Sequence, residues 1–199
     1  LTAAAREAGF LCITFIDEPI SAAQAWLAET GGNEEYVVVL DCGGGTLDWA
    51  CLQRTSVGKF DVIPALPPGG DNRIGGYDID EELFGRVDDA VSDEGNRAEL
   101  KDKRSHIQNQ IRMLKEKHSR TGAGGQIRVG NASVDIPAEV VDDIIMHRYI
   151  SQACQNLSSF LEKVRDRLKI ETPTVLLVGG SARLRGFKEV LAQRAREHS

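Results

Sequence analysis

Two glycine-rich stretches gather the side chains of this chain best suited to bind a charged ligand: Asp41-Cys42-Gly43-Gly44-Gly45-Thr46 and Gly179-Gly180-Ser181. Each comes after a short apolar run, Val37 to Leu40 and Val175 to Val178, of the kind that forms a buried strand. Glycine has no Cβ, so successive glycines let backbone N–H groups come close to a ligand and adopt turns closed to other residues. Asp41 puts a carboxylate beside that opening and Asp48 a second. Bare amides for phosphate oxygens and carboxylates for a divalent cation suit a magnesium-bound nucleotide. The net charge of -6 points the same way, since an acidic chain with aspartates at its phosphate loop repels a polyphosphate unless a cation sits between them. Taken alone, the first stretch reads equally well as a tight hairpin whose aspartates only end strands.

Periodicity and turn signals give the scaffold around these residues. Phe10 to Ile16 is an apolar strand candidate, and Pro19 to Glu29 a helix with proline at its first position and Thr30-Gly31-Gly32 after its end. Tyr36–Asp41, Leu47–Gln53 and Phe60–Leu66 predict an antiparallel meander that Pro67-Pro68-Gly69-Gly70 ends. After Ile74-Gly75-Gly76-Tyr77-Asp78, the residues Ile79, Leu83, Phe84 and Val87 recur at helical spacing. Leu100, Ile107, Ile111 and Leu114 predict one amphipathic helix between Arg97 and Arg120. Gln126–Val129 and Ala132–Ile136 flank Gly130-Asn131 as a small hairpin. Pro137 opens a helical stretch to about Leu168, and a strand, Thr174 to Val178, and a helix from about Arg185 to Arg196 close the chain. That order predicts an α/β fold: a ribonuclease-H-like lobe, its mixed sheet flanked by helices, carrying a small α+β insertion.

Composition excludes several classes. With 199 residues, 41% of them apolar, the chain can bury one sizeable core and carry one small insertion. No run approaches the roughly 18 apolar residues of a membrane span, and no basic-then-apolar leader opens the sequence, so no membrane partner and a cytoplasmic location are expected. The acidic balance argues against nucleic acid as a partner. Cys12, Cys42, Cys51 and Cys154 lack C-x-x-C spacing, and the first three fall in apolar runs, which predicts buried reduced thiols. His106, His118, His147 and His198 show no metal-ligand spacing and are expected to be surface or structural residues. The P-loop, Rossmann and esterase loops are missing.

Four blocks carry a resemblance: Glu18-Pro19-Ile20-Ser21-Ala22-Ala23, Leu40 to Asp48, Ile74 to Asp80, and Leu177-Val178-Gly179-Gly180-Ser181-Ala182-Arg183-Leu184. In order and spacing they resemble the 70-kDa heat-shock chaperones, members of the actin, sugar-kinase and heat-shock ATPase superfamily. The resemblance implies an actin-like ATPase lobe, with 1–32 as the end of the first lobe and a connecting helix, 33–77 and 137–199 as the core of the second, and 78–136 as the inserted subdomain. It implies that Asp41 and Asp48 orient Mg2+ through water, that Gly43, Gly44, Gly45 and Thr46 hold phosphates with Gly75 and Gly76 beside them, and that Glu18 helps position the attacking water near Asp41. It implies that Gly179, Gly180, Ser181 and Arg183 form an adenosine-binding turn, with Lys115 and Ser119 as further adenosine contacts. Residue by residue, plainer readings stand beside these: a helix dipole accounts for Glu18, an N-cap for Ser181, and a solvated helix face for Lys115 and Ser119. The chain departs from the family where Arg112 replaces a glutamate and Glu116 a basic residue.

The resemblance further implies ATP hydrolysis to ADP and phosphate in the intact protein, coupled to binding of client polypeptides and assisted by co-chaperones or an exchange factor. It covers the second lobe and the end of the first, so the chain is expected to be a piece of a longer protein without turnover of its own, because phosphoryl transfer needs the phosphates fixed from several sides. The alternatives are an actin-like or small-molecule kinase, an activator ATPase, and a nucleotide-dependent filament protein. A scaffold that has lost turnover is disfavoured by Glu18, Asp41 and Asp48.

Overall fold

The computed structural model describes the backbone of residues 1–197 and the side chains of residues 1–194. In chain order it runs α1 (Thr2–Glu7), α2 (Glu18–Thr30), β1 (Tyr36–Cys42), β2 (Leu47–Arg54), β3 (Phe60–Val62) and β4 (Gly69–Asp71). Next come α3 (Gly76–Ala90), α4 (Glu94–Asp102), α5 (Arg104–Thr121), the hairpin β5 (Gly125–Val129) and β6 (Ala132–Ile136), and α6 (Ala138–Ile145). A π-turn, Met146–Ile150, joins α6 to α7 (Ser151–Leu168), and β7 (Thr174–Val178), a 3-10 turn at Gly180–Arg183 and α8 (Phe187–Glu197) complete the chain.

The sheet is mixed, in the order β3-β2-β1-β7, with β4 on the far end of β2. Strand β1 runs antiparallel to β2 and parallel to β7, and this register sets Asp41 opposite both Asp48 and Val178. Val37 to Leu40 are fully buried, as a central strand covered on both faces requires. Alternation then divides them: Val37 and Val39 pack with Ala23 of α2, while Val38, Leu40 and Cys42 face the large cluster on the other side. That cluster is continuous from the sheet through α3 and α5 to Ile127 and Val129 of the small hairpin. The inserted elements therefore share one core with the sheet. Among the described residues no helix is long and apolar enough to cross a membrane.

Several sequence expectations change. Phe10 to Ile16 forms no strand, and Phe10, Leu11, Phe15 and Ile16 are exposed; an apolar run becomes a strand only where a neighbour takes its hydrogen bonds. Cys12 in that segment is exposed, whereas Cys42, Cys51 and Cys154 are buried free thiols. The third meander strand stops at Val62 because Pro64 has no N–H to give. The Pro67–Gly70 segment, expected as a terminating loop, carries β4 instead: Cβ atoms at Gly69 and Gly70 would come within 2.5 Å of the Trp49 ring and 2.2 Å of Asp48 Oδ1, so glycine is what permits the pairing. The helix expected between Arg97 and Arg120 is two, broken at Lys103. His118 is structural, its Nδ1 3.2 Å from Ala123 O and its Nε2 2.9 Å from Asp142 Oδ1, a clasp between α5 and α6. His106 and His147 are exposed, and His198 lies outside the described residues.

Truncating Leu40, fully buried on the central strand, to alanine is expected to cost about 2–5 kcal/mol. Urea unfolding of the variant checks it, with a shifted midpoint at unchanged slope expected.

Candidate functional site

Three segments distant in sequence meet at one carbonyl. The turn between β1 and β2 is closed by Gly43 N donating to Thr46 O at 3.0 Å. The Gly43 carbonyl then accepts twice, from Gly76 N at the start of α3 (3.2 Å) and from Ser181 Oγ (2.9 Å). Tyr77 N donates to Gly44 O at 2.7 Å, so the hairpin carbonyls satisfy two of the donors that a helix start leaves unpaired.

This approach is possible only without side chains. A Cβ on Gly75 would lie 2.3 Å from Gly44 O, and one on Gly179 would lie 2.4 Å from Cys42 O and 2.6 Å from Asp41 Oδ1. Gly179 also has φ +85°, a left-handed value that glycine tolerates. The three hairpin glycines, expected to adopt turns closed to other residues, have no positive φ. Crowding accounts for two of them, a Cβ lying 3.0 Å from Thr46 O at Gly43 and 3.0 Å from the Tyr77 ring at Gly44.

The amides divide into two groups. Gly75 N donates to Asp78 Oδ2 at 2.7 Å and Gly76 N to Gly43 O, so these two brace the hairpin and have no amide to spare for a ligand. Among the described residues the amides of Gly44 and Gly45 make no hydrogen bond, and both residues are exposed. They are N–H groups of the hairpin free to meet an anion.

The carboxylates lie at the same end of the sheet. Asp41 is half-buried, while Glu18, at the start of α2 next to Pro19, and Asp48 are exposed. The Asp41 carboxyl titrates above its ordinary 3.8, first because burial disfavours its charge, then because Glu18 lies in charge and hydrogen-bond contact, then because of Asp48. Three acids from α2, β1 and β2 thus share one field. Among the described residues no three His, Cys, Asp or Glu side chains are arranged to ligate a metal by themselves.

A cleft of about 390 Å³ opens on the other side of the hairpin, with Gly44, Gly76, Lys115, Ser119, Ser181 and Arg183 in its walls. Glu18, Asp41 and Asp48 stand outside those walls. Lys115 is buried and committed within the chain: Nζ donates to Gly76 O at 2.6 Å and lies 2.7 Å from Asp80 Oδ1, an ion pair without the angle of a hydrogen bond. The Asp80 carboxyl is pushed up by burial and held down by Lys115. Ser119 Oγ donates to Lys115 O at 2.9 Å, an ordinary use of a serine inside a helix. The two expected adenosine contacts therefore sit at the cleft with their polar atoms engaged. Sequence reasoning missed Tyr77, 63% exposed with its ring against Gly44 and Gly45; an aromatic residue directly after Gly75-Gly76 was the available signal.

A family model described as "Hsp70 protein" matches residues 1–197. The chain belongs to the Hsp70 family. Its mixed sheet flanked by helices is the actin-like ATPase fold of Hsp70. A "Chaperone protein HscA homolog" of Burkholderia lata is 30% identical over 200 residues, covering 96% of this chain and 30% of the relative. A protein of the same description from Pseudomonas aeruginosa is 31% identical over 184 residues, covering 91% and 28%. A "Chaperone protein DnaK" of Elusimicrobium minutum is 38% identical over 81 residues, covering 41% and 13%. The chain spans about 30% of the length of the HscA homologs it matches.

Adjacent glycines provide the test of this packing. Gly179→Ala is expected to destabilise the protein by about 1–3 kcal/mol, whereas Gly180→Ala, which meets nothing within 4 Å, stays within about 0.5 kcal/mol. Thermal melts of the two variants read the difference, and equal losses would contradict it.

Proposed function

We propose that this chain is the nucleotide-binding lobe of an Hsp70-type chaperone ATPase that works in the cytoplasm on ATP and ADP with Mg2+. The observation that carries the reading is the double use of the Gly43 carbonyl by Gly76 N and Ser181 Oγ, which joins the acid-edged hairpin to the second glycine turn. The free amides of Gly44 and Gly45 fit phosphate oxygens, and Thr46 adds a hydroxyl. Asp41 and Asp48 would hold Mg2+ through its waters, and the cation would neutralise phosphate charge that these carboxylates otherwise repel. Glu18, in contact with Asp41, is suited to orient an attacking water, and Arg183 offers a guanidinium plane to the base. The donor set fits the cation on charge as well: burial first, and then Glu18 and Asp48, push the Asp41 carboxyl above its ordinary value, as expected of a carboxylate that lacks its counter-ion.

The intact protein would couple hydrolysis to client polypeptides and be served by co-chaperones or an exchange factor. This lobe alone supplies half of a clamp and is expected to show negligible turnover. No feature of the cleft favours the kinase or filament readings.

Asp41→Asn in the intact protein tests the assignment. The expected result is a fall in kcat of about 100-fold, with the Kd for ADP changed far less; an unchanged kcat removes Asp41 from the mechanism. The affinity of the wild type for Mg2+ and nucleotide should also weaken as pH falls. The sign follows from Asp41, which keeps its proton to a higher pH than an ordinary aspartate and must release it to face the cation. Titration calorimetry across pH checks this: the decline should set in at a higher pH than an ordinary aspartate would give and be smaller in Asp41→Asn, where only the nucleotide's phosphates and the remaining carboxylates still titrate.

A further inference from the structure

The cleft does not end at the residues assigned to the nucleotide. A second cavity, of about 340 Å³, shares Tyr77, Asp80 and Arg112 with it as a common wall and continues along α5 to Ser105, Gln108 and Asn109. Helical spacing lines these positions up: Ser105, Gln108, Arg112, Lys115 and Ser119 follow one another at intervals of three or four, so one face of α5 runs along both cavities. Tyr77, with its ring against Gly44 and Gly45, stands between the free hairpin amides and the second cavity.

The acids of the second cavity already have partners. Asp80 lies 2.7 Å from Lys115 Nζ, and Glu81 accepts from Arg104 at 2.6 Å and from Gln108 at 2.7 Å. Arg112 is exposed, and among the described residues its one hydrogen bond runs from Nη2 to Asn109 Oδ1 at 2.7 Å; a guanidinium has five N–H groups to give. Among the described residues Arg112, Arg120 and Arg183, all at the cleft, form no ion pair, and Glu116 is the one acid there without a partner. Three guanidinium groups against one carboxylate make this region cationic in a chain whose net charge is -6.

We propose that the site prefers an adenine nucleotide carrying a further phosphate on its ribose, held by Arg112 in the second cavity. With the 5′ phosphates at the hairpin amides and the uncharged base toward Arg183, the ribose hydroxyls are the positions left to carry charge past Tyr77. A phosphate monoester presents its oxygens to a guanidinium fork in bidentate fashion. The Ser105 hydroxyl, one turn and more along the same face and without a hydrogen bond among the described residues, supplies a second donor. No bond is made or broken: the added phosphate serves binding alone.

The proposal rests on the nucleotide-lobe reading, and titration calorimetry of the intact protein with Mg2+ separates the two. ADP is compared with ADP phosphorylated at the ribose 2′ hydroxyl and with ADP phosphorylated at the 3′ hydroxyl. One of the two phosphorylated forms should bind about tenfold more tightly than ADP, the gain of one charge-assisted contact, and the preference should shrink with added salt. Arg112→Gln should bring the ratio of the two Kd values to about one, and Arg112→Glu should invert it. Arg112 is exposed, so both variants should melt within about 2 °C of the wild type. Arg128→Gln, an exposed arginine outside both cavities, should keep the preference, which separates a site from the general charge of the lobe. A wild type that binds ADP and gains nothing from either phosphate overturns the proposal and leaves the nucleotide-lobe reading standing, as does a gain that survives Arg112→Gln. A wild type that binds none of the three nucleotides overturns both.

Discussion

The structure depends on how closely backbone can approach backbone around residue 43. One carbonyl oxygen receives a helix amide and a serine hydroxyl from opposite parts of the chain, and a carbonyl has two lone pairs to give. The contacts leave no room for a side chain: Gly75 and Gly179 each bring a missing Cβ to within 2.4 Å of a backbone oxygen. A larger residue at either place pushes its segment away and opens the joint. The central strand supplies the fixed reference for this joint, because Val37 to Leu40 are buried on both faces and hold Cys42 and the turn after it in place.

Charge is the second constraint. The fold gathers Glu18, Asp41 and Asp48 from three elements at one end of the sheet, and the Asp41 carboxyl is pushed up first by its burial and then by these two neighbours. Such an arrangement raises the free energy of the empty site and lowers it on cation binding. On the far side of the hairpin the logic reverses, with Lys115 and Asp80 neutralising one another in the interior. Removing one partner of such a buried pair is more damaging than replacing both, so Lys115 is as much a structural residue between α3 and α5 as a cleft-lining one.

The sequence discloses what local physics dictates. The meander, the glycine turns, the small hairpin at Gly130-Asn131 and the proline-started α2 were legible because their signals are turn residues and short-period alternation. The family was legible too, because four motif blocks kept their order. The rest depended on partners remote in sequence. Phe10 to Ile16 has strand composition and no strand beside it; Gly69 and Gly70 have turn composition and a neighbour, β2, that accepts them as a strand. The break at Lys103 and the π-turn at Met146–Ile150 leave the apolar stripe on either side intact, so periodicity reveals neither. At the site, Gly75 and Gly76 differ in kind from the expectation: their proximity to the hairpin is used to build it, not to offer amides to a ligand.

The account stands or falls on the hairpin at 43–46 and the turn at 179–181 forming one cradle for a magnesium-bound adenine nucleotide. Amide NMR of the intact protein, titrated with ADP in the presence and absence of Mg2+, observes both turns at once. The Gly44, Gly45 and Gly180 amides are predicted to move together along one saturable curve that steepens with the cation. Shifts confined to one of the two turns, or saturable shifts elsewhere with these three amides still, would contradict it.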